Sequence, residues 1–193
     1  MHAELTAEVA ASETVWPLSR AQYEQMVDVG VFDEDDRVEL LEGVLVAMSP
    51  QNFPHAGAIT RLNRILMRTF GDVADVCVQV PFAAGPRSMP EPDLYLAPLD
   101  RPQDRHPDTA LLVVEVSDSS QRRDRRLKPR IYAAAAVPEY WIVDVGRQFV
   151  EVHSEPLEDR YGTVHVLRPG DRIALVALPG RSVAVAEVFG LAG

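Results

Sequence analysis

The run Leu111-Leu-Val-Val-Glu-Val-Ser117 suits a dry β-strand at every position except Glu115. Side chains alternate along a strand, so Glu115 and Ser117 share one face while Val114 and Val116 share the other. A carboxylate near the end of a buried strand is strongly disfavoured unless it is paired, metal-bound or at the rim of the sheet. Glu115 therefore reads either as a strand-end residue reaching water or an arginine, or as a ligand. In Pro92-Asp93-Leu-Tyr-Leu96, Leu94 and Leu96 point one way, and Asp93 and Tyr95 the other. Asp after Pro is also a common turn element. On adjacent strands, Asp93 and Glu115 would offer two hard oxygen ligands to Mg²⁺. Glu39, in Val38-Glu-Leu-Leu41, is a third candidate carboxylate, although plain alternation with the polar side outward explains it as well.

The segment Arg122–Arg130 is the densest basic cluster, with six basic residues in nine. Arginines and helix N-termini both bind phosphate, which makes Arg122, Arg123 and Arg126 candidate backbone contacts; a solvated helix start is the plainer reading. Lys128 within it is the only lysine beside eighteen arginines. A position that keeps Lys where the chain otherwise uses Arg calls for a compact ammonium of tunable basicity. Pro129 is tolerated in the first turn of a helix, so the helix is expected to begin within 125–128, with Asp124 as its cap. His55 opens an earlier helix, where it can meet substrate or a metal-bound water, or serve simply as a cap or surface residue. His2, His106, His153 and His165 show no ligand spacing, and there is no glycine-rich phosphate loop, nucleophile elbow or zinc motif.

These residues need a scaffold, and the pattern supplies one. A helix is expected after Ser19, with Tyr23, Met26 and Val27 apolar and Gly30 as its stop. Strands at 38–41 and 44–48 turn at Glu42-Gly43. A helix over 55–70 carries Ile59, Leu62, Ile65, Leu66 and Phe70 at helical spacing. Strands follow at 73–80, 93–97 and 111–117, the last buried on both faces. A helix with Leu127, Ile131 and Tyr132 ends before Pro138 and leads to a strand at 140–145. Strand-like pieces at 149–153, 163–167, 173–176 and 183–186 suggest an antiparallel extension. The fold class is α/β (α+β), a mixed central sheet flanked by helices, with a strand–helix–strand crossover at 111–145. Residues 1–18 are expected to be a flexible N-terminal segment and 19–193 a single domain.

A chain of 193 residues, 47% hydrophobic and 25% charged, can bury a sizeable core. Its net charge of −10 argues against a protein that coats nucleic acid nonspecifically, yet permits a local basic patch. No basic-then-apolar leader and no apolar run of ~20 residues is present, so the expected location is cytoplasmic and not membrane-bound. Cys77 is the only cysteine, which excludes an internal disulfide.

The ordered set ELLEGVLVAMSP (39–50), His55, EPDLYLAP (91–98), LLVVEVSDSS (111–120), Asp124 with Lys128, Tyr132, and VPEYWIVD (137–144) closely resembles the Uma-two family of restriction-endonuclease-like proteins, a branch of the PD-(D/E)XK nuclease superfamily. The resemblance spans roughly residues 19 to 190. It implies a restriction-endonuclease-like fold and a Mg²⁺- or Mn²⁺-dependent endonuclease acting on nucleic acid, DNA in the first instance. Asp93 matches the Asp of the PD motif, Glu115 the second acid and Glu39 an N-terminal acid. The superfamily's usual catalytic lysine would stand at 117, where this chain has Ser117; Lys128 matches the substitute in the following helix. A homodimer would suit a nuclease that cuts two strands. The alternative is a catalytically weak or inactive nucleic-acid-binding or regulatory module on the same fold.

Overall fold

The computed structural model describes residues 16–33, 35–48, 50, 52–117 and 125–191. Most of the expected N-terminal segment, together with Arg122, Arg123 and the Asp124 cap, lies outside them.

Helix α1 (Arg20–Asp28) starts at a capping box in which Ser19 and Gln22 satisfy each other's backbone N–H. Its Tyr23 hydroxyl donates to the Val38 carbonyl at 2.9 Å, tying α1 to the next element. That element is the antiparallel hairpin β1 (Val38–Leu41) and β2 (Val44–Ala47). Both turn residues, Glu42 and Gly43, have positive φ, at 49° and 87°, as a two-residue hairpin turn matched to strand twist requires. Gly43 is fixed by space as well, since a Cβ there would lie 2.7 Å from that of Pro17.

Helix α2 (Phe53–Phe70) is capped by Asn52, whose side chain accepts from the His55 N–H. It buries Ile59, Leu62, Ile65, Leu66 and Phe70, each worth roughly 1.5–3 kcal/mol on full burial. Beneath it runs a six-stranded sheet. In chain order its strands are β3 (Ala74–Val78), β4 (Leu94–Pro98), β5 (Leu112–Ser117), β6 (Glu139–Asp144), β7 (Phe149–Leu157) and β8 (Arg160–Leu167), and they lie side by side in that order. Every neighbouring pair is antiparallel except β5 and β6, which helix α3 (Lys128–Ala134) connects as a parallel pair. Ala136, after α3, has φ +55°, a conformation that a glycine would adopt without strain.

Strand β5 is buried along its whole length because both faces of the sheet are covered. Leu112, Val114 and Val116 pack toward α2 with Trp141 and Val143. Val113 packs toward α3 with Tyr95, Tyr140, Ile142, Ile131 and Tyr132. No helix among the described residues is long and apolar enough to cross a membrane.

The C-terminal third departs from the sequence reading in two places. Strands β7 and β8 reach further toward their shared turn than the apolar pieces 149–153 and 163–167, since an exposed hairpin keeps pairing through residues such as Ser154, Pro156 and Arg160. The last pieces do not extend the large sheet. Strands β9 (Arg172–Ala174) and β10 (Ser182–Ala184) form their own hairpin, and Val185 and Ala186 begin a short helix, α4 (Val185–Val188). Ile173, Leu175, Val183, Val185 and Val188 join the core under α2, so burial against that helix decided their placement.

Candidate active site

Strand β4 runs antiparallel to β5 with Leu94 opposite Val114. Asp93 immediately precedes β4, and Glu115 follows Val114 in β5, so the two acids stand at neighbouring strand positions. Asp93 is 8% exposed and Glu115 4%, so both carboxylates are withdrawn from water and need partners.

Each has them. The Glu115 Oε1 accepts from the Lys128 ammonium at 2.8 Å and from the Tyr132 hydroxyl at 2.8 Å. Lys128 and Tyr132 are four residues apart on α3 and so lie on one helical face. The ammonium also stands 3.6 Å from Glu39 Oε2. Glu39 is 3% exposed, which corrects the outward placement that simple alternation suggested. Leu41, two residues on and on the same face of β1, packs with Ile131 and Tyr132, so this face turns toward α3 and the lysine. Burial, then the charge of Glu115, raises the Tyr132 hydroxyl well above its ordinary pKa and keeps it a donor.

Asp93 is held from the opposite side. Its Oδ2 accepts the Val116 N–H at 2.8 Å and lies 3.2 Å from His55 Nε2. The same His55 nitrogen is 2.9 Å from the Val116 carbonyl, which can only accept, so Nε2 carries a hydrogen. His55 thus joins the first turn of α2 to the ends of β4 and β5.

The other candidates separate. Ser117 is wholly buried, with Asp144 as its register partner on β6, and offers no surface to a substrate. Arg126 is exposed. Tyr132 as the second holder of Glu115 was not singled out from chemistry in the sequence; its i+4 spacing from Lys128 was the available signal.

Among the described residues, no group of three or more His, Cys, Asp or Glu side chains is placed to hold a metal. A closed site of the zinc type takes three or more such ligands. Mg²⁺ instead takes one or two carboxylates and completes its shell with water and phosphate oxygens. Two buried carboxylates at the neighbouring ends of adjacent strands meet that ligand count. Asp93 Oδ1 adds to the fit, since both contacts to this carboxylate fall on Oδ2.

A mixed six-stranded sheet with helices on both faces, carrying acids at the ends of two central strands, defines the class as a nuclease-like α/β fold. The crystal structure of a "putative nuclease belonging to DUF820" from Anabaena variabilis is similar, with a TM-score of 0.63 and 12% identity over 84% of this chain and 94% of that one. The particular family follows from the sequence: residues 20–186 match the Uma2 family model, described as "Putative restriction endonuclease", and the chain belongs to that family. No curated protein matches it.

Proposed function

We propose that this chain is a metal-dependent endonuclease that hydrolyses phosphodiester bonds of DNA through Asp93, Glu115 and Lys128. The observation that carries the reading is the ammonium of the chain's single lysine, 2.8 Å from the buried Glu115, whose chain neighbour Val116 is hydrogen-bonded by the Asp93 carboxylate. Asp93 and Glu115 would hold Mg²⁺ or Mn²⁺, which when bound polarises the phosphate and increases the acidity of water.

The chain's own groups do the rest. His55 fixes the Asp93 carboxylate, and Tyr132 fixes that of Glu115. Lys128 donates toward the attacking water or toward the charge that builds on phosphate. Glu39, 3.6 Å from the ammonium, helps to orient it. Water attacks phosphorus, the P–O bond to the leaving oxygen breaks, and that oxygen takes a proton. Arg126, with Arg122 and Arg123, contacts the backbone of the nucleic acid. A homodimer would place two such sites for two strands.

A second reading, a binding module with little catalysis, rests on one observation: Lys128 already ion-pairs with Glu115 and so competes with a cation for it. Calorimetric titration with Mn²⁺, run beside plasmid and oligonucleotide cleavage, separates the two. The endonuclease reading expects Mn²⁺ binding that is lost in Asp93→Ala and in Glu115→Ala, together with Mn²⁺-dependent cleavage. Binding of DNA without cleavage under any divalent cation selects the module. Mn²⁺ binding that survives both substitutions removes the site as drawn.

A further inference from the structure

Phe53 is the most exposed large hydrophobic side chain among the described residues, at 91%. It belongs to none of the hydrophobic clusters, so it contributes little to the fold. Single exposed apolar residues are ordinary on protein surfaces, and exposure alone says nothing. Position distinguishes this one.

Phe53 is the first residue of α2, and the Asn52 cap and Pro54 make that turn stiff. Two residues on, His55 touches both Asp93 and the Val116 carbonyl. The first turn of α2 is therefore fixed directly on the strand ends that carry the two acids. Side chains of a helix tilt toward its N-terminus, which aims the Phe53 ring past the helix end rather than back along it. Residues two apart on a helix lie on opposite sides, so with His55 turned into the strand ends the Phe53 ring stands on the outer side of the same turn, open to a ligand. No acidic residue stands in this first turn to repel a phosphate.

We infer that Phe53 is a stacking platform for an unstacked nucleobase next to the scissile phosphate. The inference rests on the endonuclease reading and deepens it, because it names the substrate class: a strand whose bases are free to leave the stack, single-stranded or locally opened, rather than an undistorted duplex. An aromatic face accepts any base, so the contact adds affinity without adding sequence preference. The stiff Phe-Pro turn presents the ring with little conformational freedom left to lose on binding.

The test uses the full chain with two fluorescein-labelled strands of equal length, one of mixed sequence and one whose sugars carry no bases, read by anisotropy. Phe53→Ala is expected to weaken binding of the base-bearing strand about five- to 150-fold, the range for loss of one base–aromatic stack. Phe53→Trp should restore it, and the base-free strand should bind wild type and both variants alike. Mn²⁺ titration of Phe53→Ala, expected to match wild type, shows that the acids are undisturbed. Unchanged affinity in Phe53→Ala, or an equal loss on the base-free strand, overturns the stacking role and leaves the endonuclease reading standing. A wild-type protein that binds neither strand overturns the stacking role, while the endonuclease reading is decided separately by the cleavage and Mn²⁺ experiments above.

Discussion

Two cations on one stretch of chain, Arg125 and Lys128, each face two carboxylates, and the two arrangements differ. The Arg125 guanidinium is forked, with Nε 2.9 Å from Glu151 and Nη2 3.0 Å from Asp144. It also lies 6.0 Å from the centre of the Phe149 ring. Burial works against its charge, and Glu151 and Asp144 outweigh that, so its pKa ends above its ordinary value. Lys128 is more deeply buried but less evenly held, at 2.8 Å from Glu115 and 3.6 Å from Glu39. A planar fork fixes geometry, and here it clamps the start of the α3 segment to β6 and β7. Among the described residues the ammonium has one close and one looser carboxylate, and a compact ammonium reorients more readily than a planar fork. The same pattern of charges thus serves as a clamp at residue 125 and, on our reading, as the reactive group at residue 128.

Exchanging the two cation types is the sharpest way to break this contrast, and it should give the largest effects. Lys128→Arg keeps the charge but not its compactness, and is expected to lower cleavage on the order of a hundredfold or more. Lys128→Met leaves two buried carboxylates without their cation and should lower stability by about 3–5 kcal/mol. Arg125→Lys, in contrast, loses half of the fork and should cost about 1–2 kcal/mol in urea unfolding. It should leave cleavage within about threefold of wild type. Active Lys128→Arg beside inactive Arg125→Lys would reverse the two roles.

How visible this contrast was in the sequence depended on distance along the chain. Lys128 stood out because eighteen arginines surround one lysine, a signal that needs no partner. Glu115 stood out as the misfit of a buried strand. Glu39 did not, because its burial depends on β1 packing against the distant α3, which alternation within four residues cannot reveal. The Arg125 clamp was hidden for the same reason, with partners 19 and 26 residues away. The central strands were legible because continuous burial leaves a continuous apolar run. The ends of β7 and β8 were not, because exposed pairing puts little constraint on side-chain type.

A smaller effect sharpens the site's half of the comparison. Tyr132 and Lys128 both donate to one oxygen of Glu115, so the ammonium is not the sole holder of that carboxylate. Tyr132→Phe keeps the ring, which packs 5.0 Å from Tyr140, and removes only the donor. The expected result is a loss of about 1.5–3 kcal/mol in urea unfolding, the range for a hydrogen bond to a charged group. Mn²⁺ affinity in this variant should stay within about tenfold of wild type. No change in stability would mean that Lys128 holds Glu115 unaided.

The smallest effect concerns the clamp, and it is read through pH. His153 lies 3.6 Å from Glu151, the carboxylate that Arg125 also grips, and its ring packs near Tyr140 and Tyr161. Burial lowers the His153 pKa from its ordinary 6.5; Glu151 pulls it up and Arg125 pushes it down, without reversing the sign. A lowered folded-state pKa means that the unfolded chain takes up the proton first. Stability from this group is present above about pH 6.5 and is lost as pH falls through the lower, folded value. The slope cannot exceed about 1.4 kcal/mol per pH unit for one proton. His153→Phe keeps an aromatic ring against Tyr140 and Tyr161 and cannot titrate. The wild-type stability measured by urea unfolding should therefore decline relative to the variant between pH 7.5 and pH 5. A relative rise instead would mean that Glu151 wins the protonated histidine, and then Arg125 does not neutralise that carboxylate as a closed clamp requires.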